Sequence, residues 1–113
     1  MKILIVSATA FEIAPLQLQL KEHFSEVQSF QYKRDDLEIF TLITGVGMTA
    51  TAFALGRMLG GEITFDLVLN LGIAGAFDRN LQLGQVVQVA SEQFGDLGVE
   101  EADGSFTDMF ELE

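Results

Sequence analysis

The chain has no cysteine, one histidine and only 6 lysines and arginines, and each scarcity closes off a line of chemistry. Without cysteine there are no disulfides and no thiolate metal ligands, and a single histidine, His23, cannot build a zinc site alone. No metal and no cofactor are signalled. The few basic residues face 17 acidic ones, and the resulting net charge of -11 repels a phosphate backbone, which argues against DNA or RNA as a partner. No apolar stretch approaches the roughly 20 residues that span a bilayer, and Glu12 interrupts the amino-terminal apolar run too early for a secretory signal. A cytoplasmic protein with no membrane partner is expected. Internal repeats and low-complexity segments are also missing.

What is present, 113 residues that are 49% hydrophobic and 20% charged, describes one soluble globular domain over residues 1–113. Acidic residues crowd its carboxyl end. Glu92, Asp96, Glu100, Glu101, Asp103, Asp108, Glu111 and Glu113 have no lysine or arginine among them, so residues 100–113 read as a solvated, flexible acidic tail.

Residues 3–8 form a continuous apolar run of the kind buried in a parallel sheet, and Ile13, Leu16, Leu20 and Phe24 then fall on one helical stripe. Residues 27–33 and 37–43 flank the polar connection Arg34-Asp35-Asp36, which suits an antiparallel hairpin. A helical run over residues 48–59 precedes a further buried strand at residues 66–71, and another strand is expected at residues 85–90. The fold class is therefore α/β, a mixed central β-sheet with flanking helices. About five strands against two clear helices leaves one sheet face uncovered, which predicts a chain that associates with more of its own kind or with further structure.

Two strands end in turns of small residues. Residues 69–71 run into Gly72-Ile73-Ala74-Gly75, and residues 37–43 run into Thr44-Gly45-Val46-Gly47, so a ligand can approach the backbone at the carboxyl ends of both. Gly45-Val46-Gly47-Met48-Thr49-Ala50 matches the G-x-G-x-x-A form of the dinucleotide fingerprint, but the acidic residue that should end the next strand is missing, since Asp66 begins it. Thr9-Ala10-Phe11-Glu12 has the form of a capping box, in which Glu12 serves a backbone donor. The alternative is a chemical role for the same carboxylate. Pro15 complicates the cap, because a helix begun at Thr9 loses a backbone bond there.

The segments MKILIVSATAFEIAPL, TGVGMTATAFAL, NLGIAGAF and SEQFGDLGVEEADG together resemble the purine nucleoside phosphorylase and uridine phosphorylase superfamily, with the nearest look to its futalosine hydrolases. The resemblance covers nearly the whole chain and matches the amino-terminal half of a family enzyme, so it implies a phosphorylase/hydrolase-like fold that is incomplete at the carboxyl-terminal side. It implies N-glycosidic cleavage of a purine nucleoside: for a futalosine hydrolase, release of hypoxanthine from futalosine in menaquinone biosynthesis. Methylthioadenosine/adenosylhomocysteine nucleosidase and nucleoside phosphorylase are the neighbouring alternatives.

By this resemblance Glu12 acts on the attacking water, while Ala8, Val46, Gly72, Ile73, Ala74 and Gly75 line the substrate pocket. Ile73 stands where the methylthioadenosine nucleosidases carry a hydroxyl residue, which agrees better with the futalosine type. Ser7-Ala8-Thr9-Ala10 stands where the phosphorylases place a glycine-rich, arginine-bearing phosphate loop, which favours water over phosphate. Arg57 and Arg79 read as a helix-face charge and a loop charge, and His23 as a solvated helix residue. The implied partners are a purine nucleoside and a second copy of the chain, as a homo-oligomer with a dimer favoured. The general acid and the ribose-binding glutamate of the family have no counterpart here, so the 113-residue chain alone is expected to be inactive. A reading of another class is a noncatalytic nucleoside-binding or assembly domain.

Overall fold

The structure, a computed structural model, describes residues 1–92 and 94–112; Gln93 and Glu113, the last member of the acidic run, lie outside them. Two compact units divide the chain, Met1–Gly75 and Ala76–Glu113. Among the described residues no helix is long and apolar enough to cross a membrane.

The first unit contains β1 (Lys2–Ser7), α1 (Ala10–His23), β2 (Ser25–Gln28), β3 (Gln31–Arg34), β4 (Leu37–Ile43), α2 (Met48–Leu59) and β5 (Leu67–Asn70). They build the expected mixed sheet in the order β2-β3-β4-β1-β5. β1 lies at its heart, parallel to β4 on one side and to β5 on the other, while β2, β3 and β4 form an antiparallel meander.

The two-residue period of the strands divides the core into two layers. Ile5 and Ile39 point to one face and pack with Tyr32 and Leu20, joined by Leu16 of α1 and by Phe24, the residue that ends it. Leu4, Val6 and Phe40 point to the other, where Leu55 and Met58 of α2 cover them together with Ile63 and Phe65. The Phe40 and Phe65 rings meet edge to face, their centroids 5.2 Å apart. Each fully buried aliphatic side chain of this kind contributes on the order of 1.5–3 kcal/mol. Opposite faces for the two helices follow from chirality. The chain steps from β1 to β4 in one direction and back past β1 to β5 in the other, and right-handed crossovers then put α1 and α2 on opposite sides.

The uncovered surface is therefore an edge strand and not a whole face. In β5, Leu67, Val68 and Leu69 are exposed, against the expectation of a buried strand at residues 66–71. Neither core layer includes a residue of β5. The single strand expected at residues 27–33 is two, because the chain reverses at Ser29-Phe30 between β2 and β3. Phe30 takes φ 66 there, unusual for a bulky residue, and its carbonyl accepts the Thr41 N–H at 2.9 Å. At the expected hairpin, Asp35 (φ 52) turns the chain between Arg34 and Leu37.

Among the described residues the second unit holds one hairpin, β6 (Gly98–Glu100) with β7 (Phe106–Asp108). Asp103 closes its turn by accepting from the Ser105 N–H at 2.9 Å and the Ser105 hydroxyl at 2.6 Å. Gly98 is required where it stands, since a Cβ there would collide with the Thr107 carbonyl and the Phe106 ring. The acidic residues around this hairpin are largely exposed. The strand expected at residues 85–90 does not form: among the described residues no ladder pairs them, and Val86, Val87 and Val89 stay exposed. Apolar character favours a strand, but only a neighbouring strand satisfies its backbone donors and acceptors.

Candidate active site

The helices that follow β1 and β4 leave toward opposite faces, so the carboxyl ends of these adjacent parallel strands form a switch point, the position whose crevice holds ligands in α/β sheets. Three turns meet there, all within the first unit. The turns are pinned to one another by their backbones. Thr44 N–H donates to the Ser7 carbonyl at 2.9 Å, Gly45 N–H to the Ala8 carbonyl at 3.0 Å, and Leu71 N–H to the Val6 carbonyl at 2.8 Å. Gly45 and Gly47 adopt φ 87 and φ 98, which makes glycine the fitting residue at both points of the turn leading into α2.

Thr9 caps α1, and the capping box is complete: Glu12 N–H donates to the Thr9 hydroxyl oxygen at 3.4 Å, and Thr9 N–H donates to Glu12 Oε2 at 2.8 Å. Pro15 is accommodated because the carbonyl it leaves unpaired belongs to Phe11, whose exposed position lets water serve it. Glu12 also reaches beyond the cap. Its Oε2 accepts from the Thr9 hydroxyl at 2.8 Å and from the buried Ser7 hydroxyl at 3.4 Å, while Oε1 accepts the Ile73 N–H at 3.3 Å across the sheet end. Gly72 permits that approach, since a Cβ there would lie 3.0 Å from Oε1.

These donors hold the Glu12 carboxyl below its ordinary value of 4.5, the Thr9 hydroxyl first and the Ile73 N–H next, against an opposing contribution from desolvation. At neutral pH the group is a carboxylate. Such an arrangement can orient a water and favour positive charge developing beside it.

The other residues expected at the site divide. Ile73 donates to Glu12 and Gly72 lies against its Oε1, whereas Ala8 is tied to Gly45 and makes no described hydrogen bond to Glu12. Val46, exposed at the tip of its glycine turn, and Ala74 and Gly75, exposed beyond Ile73, make no described hydrogen bond to Glu12. Arg57 lies over the Phe53 ring on α2, 5.8 Å from its centroid, His23 is exposed beside Glu22, and Arg79 belongs to the second unit. Ser7 has a polar contact to Glu12 that no motif announced. Thr44 and Thr51, whose hydroxyls meet at 3.1 Å where α2 begins, were likewise without a sequence signal, because only the folded turn brings positions seven apart together. Among the described residues no cluster of histidine, aspartate and glutamate is arranged to hold a metal ion.

A family model described as the phosphorylase superfamily matches residues 2–107. Among curated proteins, the 5'-methylthioadenosine/S-adenosylhomocysteine nucleosidase of Aeromonas salmonicida (strain A449) is 29% identical over 103 residues, an alignment that covers 88% of this chain and 44% of that protein. The chain thus spans less than half the length of this relative. No solved structure matches.

Proposed function

Because this chain belongs to the phosphorylase superfamily, we propose that it supplies the water-activating half of a purine nucleosidase, with futalosine as the substrate. The observation that carries the reading is Glu12: an ionised carboxylate at the carboxyl end of β1, with Oε2 tied to Thr9 and Oε1 directed at the β5 turn. Cleavage of an N-glycosidic bond passes through a state with oxocarbenium character. A carboxylate beside the ribose lowers that barrier by orienting the water and by offsetting the developing charge. Its depressed pKa makes Glu12 a weak proton sink in the resting site, so holding and polarising water is the larger part of its role.

Water is favoured over phosphate because Ser7-Ala8-Thr9-Ala10 carries no cation and its Thr9 N–H and hydroxyl donors are committed to the Glu12 carboxylate. Val46 and the residues Gly72, Ile73, Ala74 and Gly75 would shape the pocket; Gly75 has open space where a side chain would be. The apolar Ile73, with 76% of its surface exposed beside Glu12, supports futalosine. The likeness to the Aeromonas nucleosidase supports a second reading, 5'-methylthioadenosine or S-adenosylhomocysteine as substrate. Departure of the purine needs a proton, and the three turns hold no carboxylate besides Glu12, so the acid would come from a carboxyl-terminal half.

The test follows base release by chromatography from futalosine and 5'-methylthioadenosine, using the 113-residue protein alone and complemented with the remaining part of the Aeromonas nucleosidase. In phosphate-free buffer the complemented protein should release base and free sugar, the protein alone should not, and Glu12→Gln should lower turnover by roughly 100-fold or more. Formation of a sugar phosphate only when phosphate is added, or full turnover by Glu12→Gln, would overturn the reading.

A further inference from the structure

We propose that Thr9 is a positioning residue that gives the two oxygens of Glu12 separate tasks: by holding Oε2, it leaves Oε1 as the oxygen that handles water. The inference rests on the hydrolytic reading of Glu12 given above. Oε2 receives two close donors from Thr9, the N–H at 2.8 Å and the hydroxyl at 2.8 Å, which fill its acceptor capacity; the Ser7 hydroxyl lies farther off at 3.4 Å and shares its one proton with the Thr9 carbonyl at 3.3 Å. Oε1 receives one long bond, from the Ile73 N–H at 3.3 Å. It retains a lone pair toward the crevice, on the side where Gly72 presents no side chain.

The Thr9 hydroxyl is used in both directions. It accepts the Glu12 N–H at 3.4 Å, which is the helix cap, and it donates its own proton to Oε2, which is the positioning contact. Capping needs only an acceptor, so any N-cap residue satisfies it. Holding a carboxylate needs a donor. Serine supplies both, valine neither, and aspartate supplies the cap while offering Oε2 no proton and a like charge.

That difference separates positioning from capping. Carbon-detected NMR of the 113-residue protein would follow titration of the Glu12 carboxyl in the unaltered protein and in Thr9→Ser, Thr9→Val and Thr9→Asp. The complemented nucleosidase assay would give kcat and KM for the same variants. Thr9→Ser should match the unaltered protein in both. Thr9→Asp should keep the melting temperature yet raise the Glu12 titration toward the ordinary glutamate range, and kcat should fall by roughly tenfold to 100-fold with KM changed less than about twofold. Thr9→Val should show the same kinetic loss with a lowered melting temperature. An unmoved Glu12 titration in Thr9→Asp, or an unmoved kcat, would overturn the proposal. If Glu12→Gln keeps full turnover, the hydrolytic reading fails and this role for Thr9 fails with it, whereas loss in Glu12→Gln beside normal kinetics in Thr9→Asp sinks the positioning role alone.

Discussion

Gly72→Ala tests the site through geometry, without touching any charged group. The added methyl would lie 3.0 Å from Glu12 Oε1 and 3.6 Å from its carboxyl carbon. Ordinary contact begins near 3.4 Å, so the oxygen or the turn must give by about 0.4 Å. The carboxylate has little room to do so, because two bonds of 2.8 Å from Thr9 anchor Oε2. The bond from the Ile73 N–H, already 3.3 Å, lengthens past the useful range as the turn retreats. Folding is affected far less. Gly72 is not among the residues with positive φ, so alanine fits its backbone and gains about 0.4–1 kcal/mol by restricting the unfolded chain, which offsets the crowding. A melting temperature within roughly 5 °C of the unaltered protein is expected. In the complemented assay kcat should fall by about tenfold to 100-fold, because a carboxylate displaced from its water loses orientation more than binding. A kcat equal to that of the unaltered protein, with the fold intact by circular dichroism, would refute the claim that Oε1 works from this position.

Three further outcomes follow from the same contacts. Thr41 is buried and its hydroxyl has no hydrogen-bond partner among the described residues, so Thr41→Val should raise stability by about 1 kcal/mol in urea titration, whereas a loss would mean that the hydroxyl is satisfied in solution. Glu12 titrates below 4.5 when folded, so its contribution to stability is complete above that value and is lost as pH falls through the lowered one; Glu12→Gln should flatten that part of the acid denaturation profile, and an unchanged profile would contradict the donor assignments. The open edge at β5, with Leu67, Val68 and Leu69 exposed, predicts self-association, which light scattering at micromolar concentration should detect as a dimer or larger species and which a stable monomer would exclude.

Much of the fold was legible because it rests on local patterns. The apolar run at residues 3–8, the stripe Ile13-Leu16-Leu20-Phe24 and the helix Met48–Leu59 each carry their period in the residues themselves. Two elements escaped for opposite reasons. The β2-β3 reversal at Ser29-Phe30 lacks glycine, asparagine and proline, so no turn signal marked it; contacts such as the Thr41 N–H bond to the Phe30 carbonyl hold it instead. Residues 85–90 are rich in valine, as a strand can be, yet among the described residues no strand pairs with them. A helix closes its hydrogen bonds within its own segment, but a strand depends on a distant partner.

Local patterns in the residues were enough for the α/β class, the start of α1 at Thr9 and the two glycine turns, since capping boxes and turns are written in four or five adjacent residues. How the two oxygens of Glu12 are held lay beyond those patterns, because one carboxylate has two oxygens and a sequence does not tell them apart. Tertiary structure separated them. Parallel pairing of β1 with β5 carries Gly72 and Ile73, 60 and 61 positions away, to Oε1 while Thr9 keeps Oε2, so the cap and the reach across the sheet end coexist in one side chain. Only closure of the sheet sets that distance, because it depends on the register of strands far apart in the chain.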